Sequence, residues 1–165
     1  MKTRILIVII AVLPFINACN QKDTQITDRM EIQDLINAYS HCADNREAQK
    51  QAELFTENAV VKSFNGKDTI PIQIVQGRKA LEEAFHILRQ YDVTTHFNGQ
   101  NTITIKGNKA TGEVYCLAHH IKNAEKSLLV MSIRYHDTYT KQNGKWLFSE
   151  RDLYIDWTDK REISN

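Results

Sequence analysis

The chain has 165 residues, 42% of them hydrophobic, with 21 Lys and Arg against 20 Asp and Glu. That length supports one domain with a real core and excludes a second domain for a large cofactor. The near-neutral balance, without any basic run, gives no electrostatic footing for nucleic-acid binding.

Residues 1–18 read as a targeting segment. Lys2 and Arg4 form a positive start, Ile5–Ile16 is apolar and broken only by Pro14, and small Ala18 precedes Cys19. The run is too short for a membrane span, which needs roughly 20 residues; the alternative is an anchor helix that stays attached. Ile16-Asn17-Ala18-Cys19 resembles a bacterial lipobox, in which Cys19 is lipidated and becomes the new N-terminus. The expected division is a leader over 1–18, a lipidated tether over 19–26 and a folded domain over 27–160. The expected location is the bacterial cell envelope, lipid-anchored on a periplasmic or outer-membrane face. Cleavage leaves 147 of the 165 residues, with 19 basic and 20 acidic side chains once Lys2 and Arg4 are gone. Of the three cysteines, Cys42 and Cys116 then remain, either as a bridge or as two buried thiols.

Asn20–Gln25 is polar and reads as irregular. Thr27 or Asp28 offers an N-cap for a helix in which Ile32, Leu35, Ile36, Tyr39 and Ala43 share one face. Tyr39 thus faces the core, His41 points away, and Asp44 sits at the edge near the helix end. A short helix is expected over Glu47–Phe55. Val60–Phe64 then reads as a strand closed by Asn65-Gly66, and Ile70–Val75 as an edge segment marked by Pro71. After Gly77, a helix places Leu81, Ala84, Phe85 and Leu88 on one face and leaves His86 outside it. Four long strands follow: Thr94–Lys106, Ala110–Ile121, Leu128–Lys141 and Lys145–Trp157. Gly107-Asn108 and Asn143-Gly144 supply two of the turns. Helices first and antiparallel strands after make an α+β domain, with helices on one face of a curved sheet.

There is no P-loop, G-x-G-x-x-G, G-x-S-x-G or H-E-x-x-H. Chemistry must therefore come from polar side chains on apolar faces. Alternation in the last strand groups Arg151 with Leu147, Ser149, Leu153, Ile155 and Trp157. An unpaired charge there would be costly, so Arg151 has a carboxylate partner or lines a pocket. Asp137, on a face with Ile133, Tyr135 and Tyr139, is one candidate partner. His96, Asn98 and Gln100 alternate onto one face, where an imidazole and an amide can grip one small ligand. Of His119 and His120, one points inward, and alternation alone does not say which. Neighbours on a strand point oppositely and do not readily chelate one ion, so no metal is expected. Tyr39 and Asp44 form a candidate acid–base pair, with burial expected to raise the carboxylate pKa.

Several segments carry a family resemblance. They are Leu35–Tyr39 with Asp44, Thr95-His96-Phe97-Asn98-Gly99, Ala110–His120, Arg134-Tyr135-His136-Asp137, and Gly144-Lys145-Trp146 leading to Arg151. They lie within Glu31–Trp157, a stretch that resembles the SnoaL-like branch of the nuclear-transport-factor-2-like superfamily. That grouping includes scytalone dehydratase, bile acid 7α-dehydratases and ketosteroid isomerases. The resemblance implies a cone-shaped α+β barrel around one deep pocket. It assigns catalytic roles to Tyr39, Asp44 and His96, with His120 as a second histidine and Arg151 as a late arginine. Asn98, His119 and Asp137 are taken as substrate-binding. No metal or organic cofactor is implied. The resemblance also implies a homodimer formed through the outer sheet face, with a trimer as the alternative.

Two functions follow. One is a lyase or isomerase acting on a small apolar carbonyl compound by acid–base chemistry. The other is a non-catalytic, envelope-tethered module holding a hydrophobic ligand or a partner protein.

Overall fold

The computed structural model describes residues 15–163, with side chains from residue 24 onward. Most of the expected leader, and the side chain of Cys19, lie outside the described residues. The elements are α1 (Phe15–Asp44), α2 (Ala48–Glu53), β1 (Phe55–Asn65), β2 (Gln73–Gln76), α3 (Arg78–Phe85), a 3-10 turn (His86–Gln90), β3 (Val93–Lys106), β4 (Lys109–Lys122), β5 (Ser127–Gln142) and β6 (Lys145–Glu162). The six strands form one sheet in the order β2-β1-β6-β5-β4-β3. Only β1 and β6 run parallel; every other pair is antiparallel.

In α1, Ile32, Leu35, Ile36, Tyr39 and Ala43 are buried at helical spacing while His41 stays exposed. The helix begins well before Thr27 and Asp28, so residues 20–25 are helical rather than irregular. Asp28 does not cap it. Its carboxylate instead accepts hydrogen bonds from Lys141 Nζ at 2.6 Å and Trp146 Nε1 at 2.9 Å, tying α1 to the β5–β6 hairpin. Asn143 and Gly144 turn that hairpin with φ of 50° and 79°, the left-handed pair a two-residue turn demands. Among the described residues no helix is long and apolar enough to cross a membrane.

Bulges correct two of the expected faces. On β6, Phe148 pairs with Tyr139 and Glu150 with Thr138, so Ser149 is an extra residue. One inserted residue reverses alternation. Trp146 and Phe148 therefore share the buried face with Arg151, in place of Leu147 and Ser149. A second shift at Asp156 leaves Trp157 exposed. On β3, the register shifts between Asn98 and Asn101, so Gln100 faces away from the side that holds His96 and Asn98. These bulges bend the long strands around α1 and α3, and the concave side becomes the core.

Candidate functional site

The concave side holds a cavity of about 210 Å³. Its floor is apolar, from Met131, Ile133, Leu153 and Ile155 on the central strands; Tyr39, His96, His120, Tyr135 and Gln51 bring polar atoms to it. A wider concavity of about 420 Å³ lies on the outer sheet face around Glu113, His136 and Glu150. It is open to solvent, and its His136 already lies 3.5 Å from Glu113. The site lies in the less open, more apolar cavity, where partial exclusion of water strengthens polar interactions.

α1 ends at Asp44, and its carboxylate meets β3 at two points. Oδ1 lies 2.7 Å from His96 Nδ1, and Oδ2 accepts the His96 backbone N–H at 3.0 Å. The pair is possible because Tyr39 and Ala43 bury the last turn of α1 against the sheet. Burial alone would raise the Asp44 pKa, but the hydrogen bonds from the His96 ring and backbone outweigh it and hold the carboxyl below its ordinary value. The expected rise is thus reversed, and Asp44 stays ionised. A carboxylate on Nδ1 selects the Nδ1–H tautomer and leaves Nε2 as the basic nitrogen.

His120, not His119, points inward. Val114, Cys116, Ala118 and His120 are all buried along β4, while His119 stands on the opposite face, away from the cavity. The His120 ring lies 5.4 Å from that of His96 and 4.6 Å from that of Tyr91. Neither of its nitrogens has a hydrogen-bond partner among the described residues. Burial, reinforced by His96, pushes its pKa down to about 4, so it is neutral.

Arg151 and Asp137 stand directly opposite each other on β6 and β5. Nε and Nη2 donate to the two carboxylate oxygens at 2.7 and 2.8 Å, and Tyr139 adds its hydroxyl at 2.9 Å. Neither residue of the pair reaches the cavity: Arg151 is 1% exposed. Burial opposes the charged guanidinium, but Asp137 more than offsets it and keeps Arg151 protonated. The guanidinium carbon lies 4.1 Å from the ring centre of Tyr39, 4.0 Å from Tyr135 and 4.3 Å from Phe148. Arg151 and Asp137 therefore brace the aromatic wall from behind and do not line the cavity. Asn98 is likewise spent on the scaffold: it pairs with Ser40 Oγ at 3.1 Å and donates to the Ile36 carbonyl at 3.5 Å. Tyr39 does line the cavity, and burial raises its pKa against the opposing pull of Arg151, so it remains a neutral phenol.

The sequence does not single out four polar residues of the cavity, Gln51, Ser63, Gln73 and Tyr135. Tyr135 was visible only as an apolar-face neighbour of Asp137. Gln51 follows Ala48 and precedes Ala52 on the buried face of α2, a polar residue at apolar spacing. Cys42 and Cys116 are both free and buried, and burial pushes the Cys116 thiol up to about 11. Among the described residues, no three His, Cys, Asp or Glu side chains are grouped to hold a metal ion.

The model of the SnoaL-like domain matches residues 24–152. No curated protein matches the chain. Among solved structures, a candidate scytalone dehydratase from Novosphingobium aromaticivorans DSM 12444 superposes with a TM-score of 0.75 at 23% identity, covering 87% of this chain and 93% of that one. An NTF2-like protein with a cystatin-like fold from the same species gives 0.69 at 20% identity, covering 87% and 91%. The hexachlorocyclohexane dehydrochlorinase LinA-type3 from Novosphingobium barchaimii LL02 gives 0.72 at 14% identity, covering 86% and 97%. At these identities the likeness is one of fold, and activity must be argued from the site.

Proposed function

This chain belongs to the SnoaL-like family, and on that premise we propose that it is a cofactor-independent lyase or isomerase acting on a small, largely apolar carbonyl compound. The observation that carries the reading is the 2.7 Å contact between Asp44 and His96, whose ring lines a largely apolar cavity. His96 Nε2 removes a proton from the carbon beside the carbonyl, and the C–H electron pair moves into the enolate. Asp44 steadies the imidazolium that results. Tyr39, a neutral phenol, donates to the enolate oxygen. In the lyase form, the enolate pair expels a neighbouring hydroxyl, which takes the proton from His96 and leaves as water. In the isomerase form, His96 returns the proton to a different carbon.

The test is hydrogen–deuterium exchange. Small ketones and hydroxyketones are incubated with the protein in D2O and followed by mass spectrometry. Deuterium enters beside the carbonyl with the wild type and does not with His96→Ala, whose fold is checked by circular dichroism. A carbonyl compound that binds in the cavity but neither exchanges nor reacts would reject catalysis and leave the binding module, which the lipobox-like Ile16–Cys19 favours.

The same lipobox supports attachment to the bacterial envelope through lipid at Cys19. Cys19→Ser should abolish labelling by a fatty-acid probe in a bacterial host. The outer sheet face exposes Phe97, Tyr115 and Leu117, which supports pairing of two copies. Light scattering should give twice the chain mass for the wild type and the single mass for Phe97→Lys.

A further inference from the structure

The cavity has two polar poles, and only one of them contains the dyad. His96 on β3 and His120 on β4 lie at one side of the sheet; Ser63 on β1 and Gln73 on β2 line the other. Between them β5 and β6 contribute Met131, Ile133, Leu153 and Ile155, with Tyr135 as their one polar side chain on the cavity. From β4 to β1 is three strand spacings, about 14 Å along the sheet and less across its concave side. Gln51, on α2, which packs against α1, α3 and β1, reaches the cavity as well. It is only 2% exposed, yet its amide has no hydrogen-bond partner among the described residues. Buried amides in native proteins are nearly always paired, so one left open on a cavity wall is set for a ligand atom.

We propose that Gln51 is a specificity residue: its amide, together with the Ser63 hydroxyl, binds an oxygen substituent at the end of the ligand remote from the carbonyl that meets His96. The ligand class is then narrower than a small apolar ketone. It is a compact apolar skeleton with a carbonyl at one end and a hydroxyl or second carbonyl at the other. This deepens the reading above and rests on the same cavity being the ligand site. A ligand lacking the second oxygen would leave the Gln51 amide buried and unsatisfied. That penalty corresponds to roughly a tenfold to hundredfold loss in affinity.

Two matched pairs of ketones serve as probes: para-hydroxyacetophenone against acetophenone, and para-hydroxybenzylacetone against benzylacetone. Dissociation constants come from NMR titration of the wild type, Gln51→Leu and Ser63→Ala. At least one hydroxyl-bearing ketone should bind the wild type about tenfold or more tighter than its partner. Gln51→Leu should erase that difference without weakening the partner, and Ser63→Ala should reduce it. Should Gln51→Leu fail to fold, Gln51→Met takes its place, since it keeps the length and removes the amide. Equal affinities within both pairs, a preference that survives loss of the amide, or no binding of any of the four would overturn the proposal. Titration needs no turnover, so binding selectivity without deuterium exchange would remove the catalytic reading alone. Exchange without selectivity would remove Gln51 recognition alone.

Discussion

Asp44 takes two donors from the same residue, the His96 ring at 2.7 Å and the His96 backbone N–H at 3.0 Å. The ring is thereby fixed relative to its own strand, not merely paired with a charge. Asp44 also couples the end of α1 to the start of β3, two elements 52 residues apart.

Asp44→Asn separates charge from shape. The amide still fits the gap, but it can present its oxygen to Nδ1–H or its NH2 to a bare Nδ1, so the tautomer is no longer selected. In the wild type, imidazole 15N shifts should show His96 protonated at Nδ1; in Asp44→Asn a second set with the proton on Nε2 should appear. Exchange activity should fall by about 10²- to 10⁴-fold. An unchanged tautomer would show that Asp44 does not orient the ring.

His120 makes stability depend on pH. Its pKa is about 4 in the fold against an ordinary 6.5. Between those values the unfolded chain holds a proton on this ring that the folded chain does not, so stability rises with pH across that window. Lowering the pH from neutrality toward 4 is therefore expected to cost about 2 kcal/mol through this residue, allowing for its partial solvation. Urea melts at pH 7 and pH 4.5 measure it, and His120→Asn should flatten the difference.

Removing one member of the Arg151–Asp137 pair strands the other in the core. Arg151→Met should destabilise by about 3–5 kcal/mol, because Asp137 is left charged and buried. The double variant Arg151→Met with Asp137→Leu should recover at least half of that loss. Chemical denaturation of the three proteins decides it. A double variant as weak as the single one would mean that Arg151 acts through its stacking on Tyr39, Tyr135 and Phe148 and not through charge.

Gly112 lies where β3 and β4 crowd together. A Cβ there would meet the Thr102 carbonyl oxygen at 2.7 Å and the Tyr139 ring at 3.3 Å. The first is backbone inside a sheet ladder and cannot swing aside. Gly112→Ala should cost about 1–3 kcal/mol, read as a lowered Tm. An unchanged Tm would show that the ladder relaxes freely at this point.

Much of this was written locally in the chain. The helical spacing of Ile32, Leu35, Ile36, Tyr39 and Ala43 placed Tyr39 in the core, and Asn143-Gly144 marked the last hairpin, because periodicity and turn chemistry act over a few residues. The order of helices and strands was enough for an α+β domain, and the quoted segments were enough for the family. The misplaced residues share one cause. Ser149 and the Asn98–Asn101 shift each insert one residue, and a bulge becomes visible only when the partner strand is present to count against. His119 and His120 could not be separated until Cys116 and Ala118 were seen to be buried. Asp137, Asn98 and Arg151 carried the right chemistry for a site, but whether a polar group faces a ligand or another side chain depends on what the fold brings opposite it. The sequence alone determined which elements form and which polar residues fall among apolar ones. Only the tertiary structure decided that Asp44 and His96 meet at a cavity while Arg151 is neutralised behind it, because those pairings join residues far apart in the chain and cost nothing to rearrange until the sheet closes.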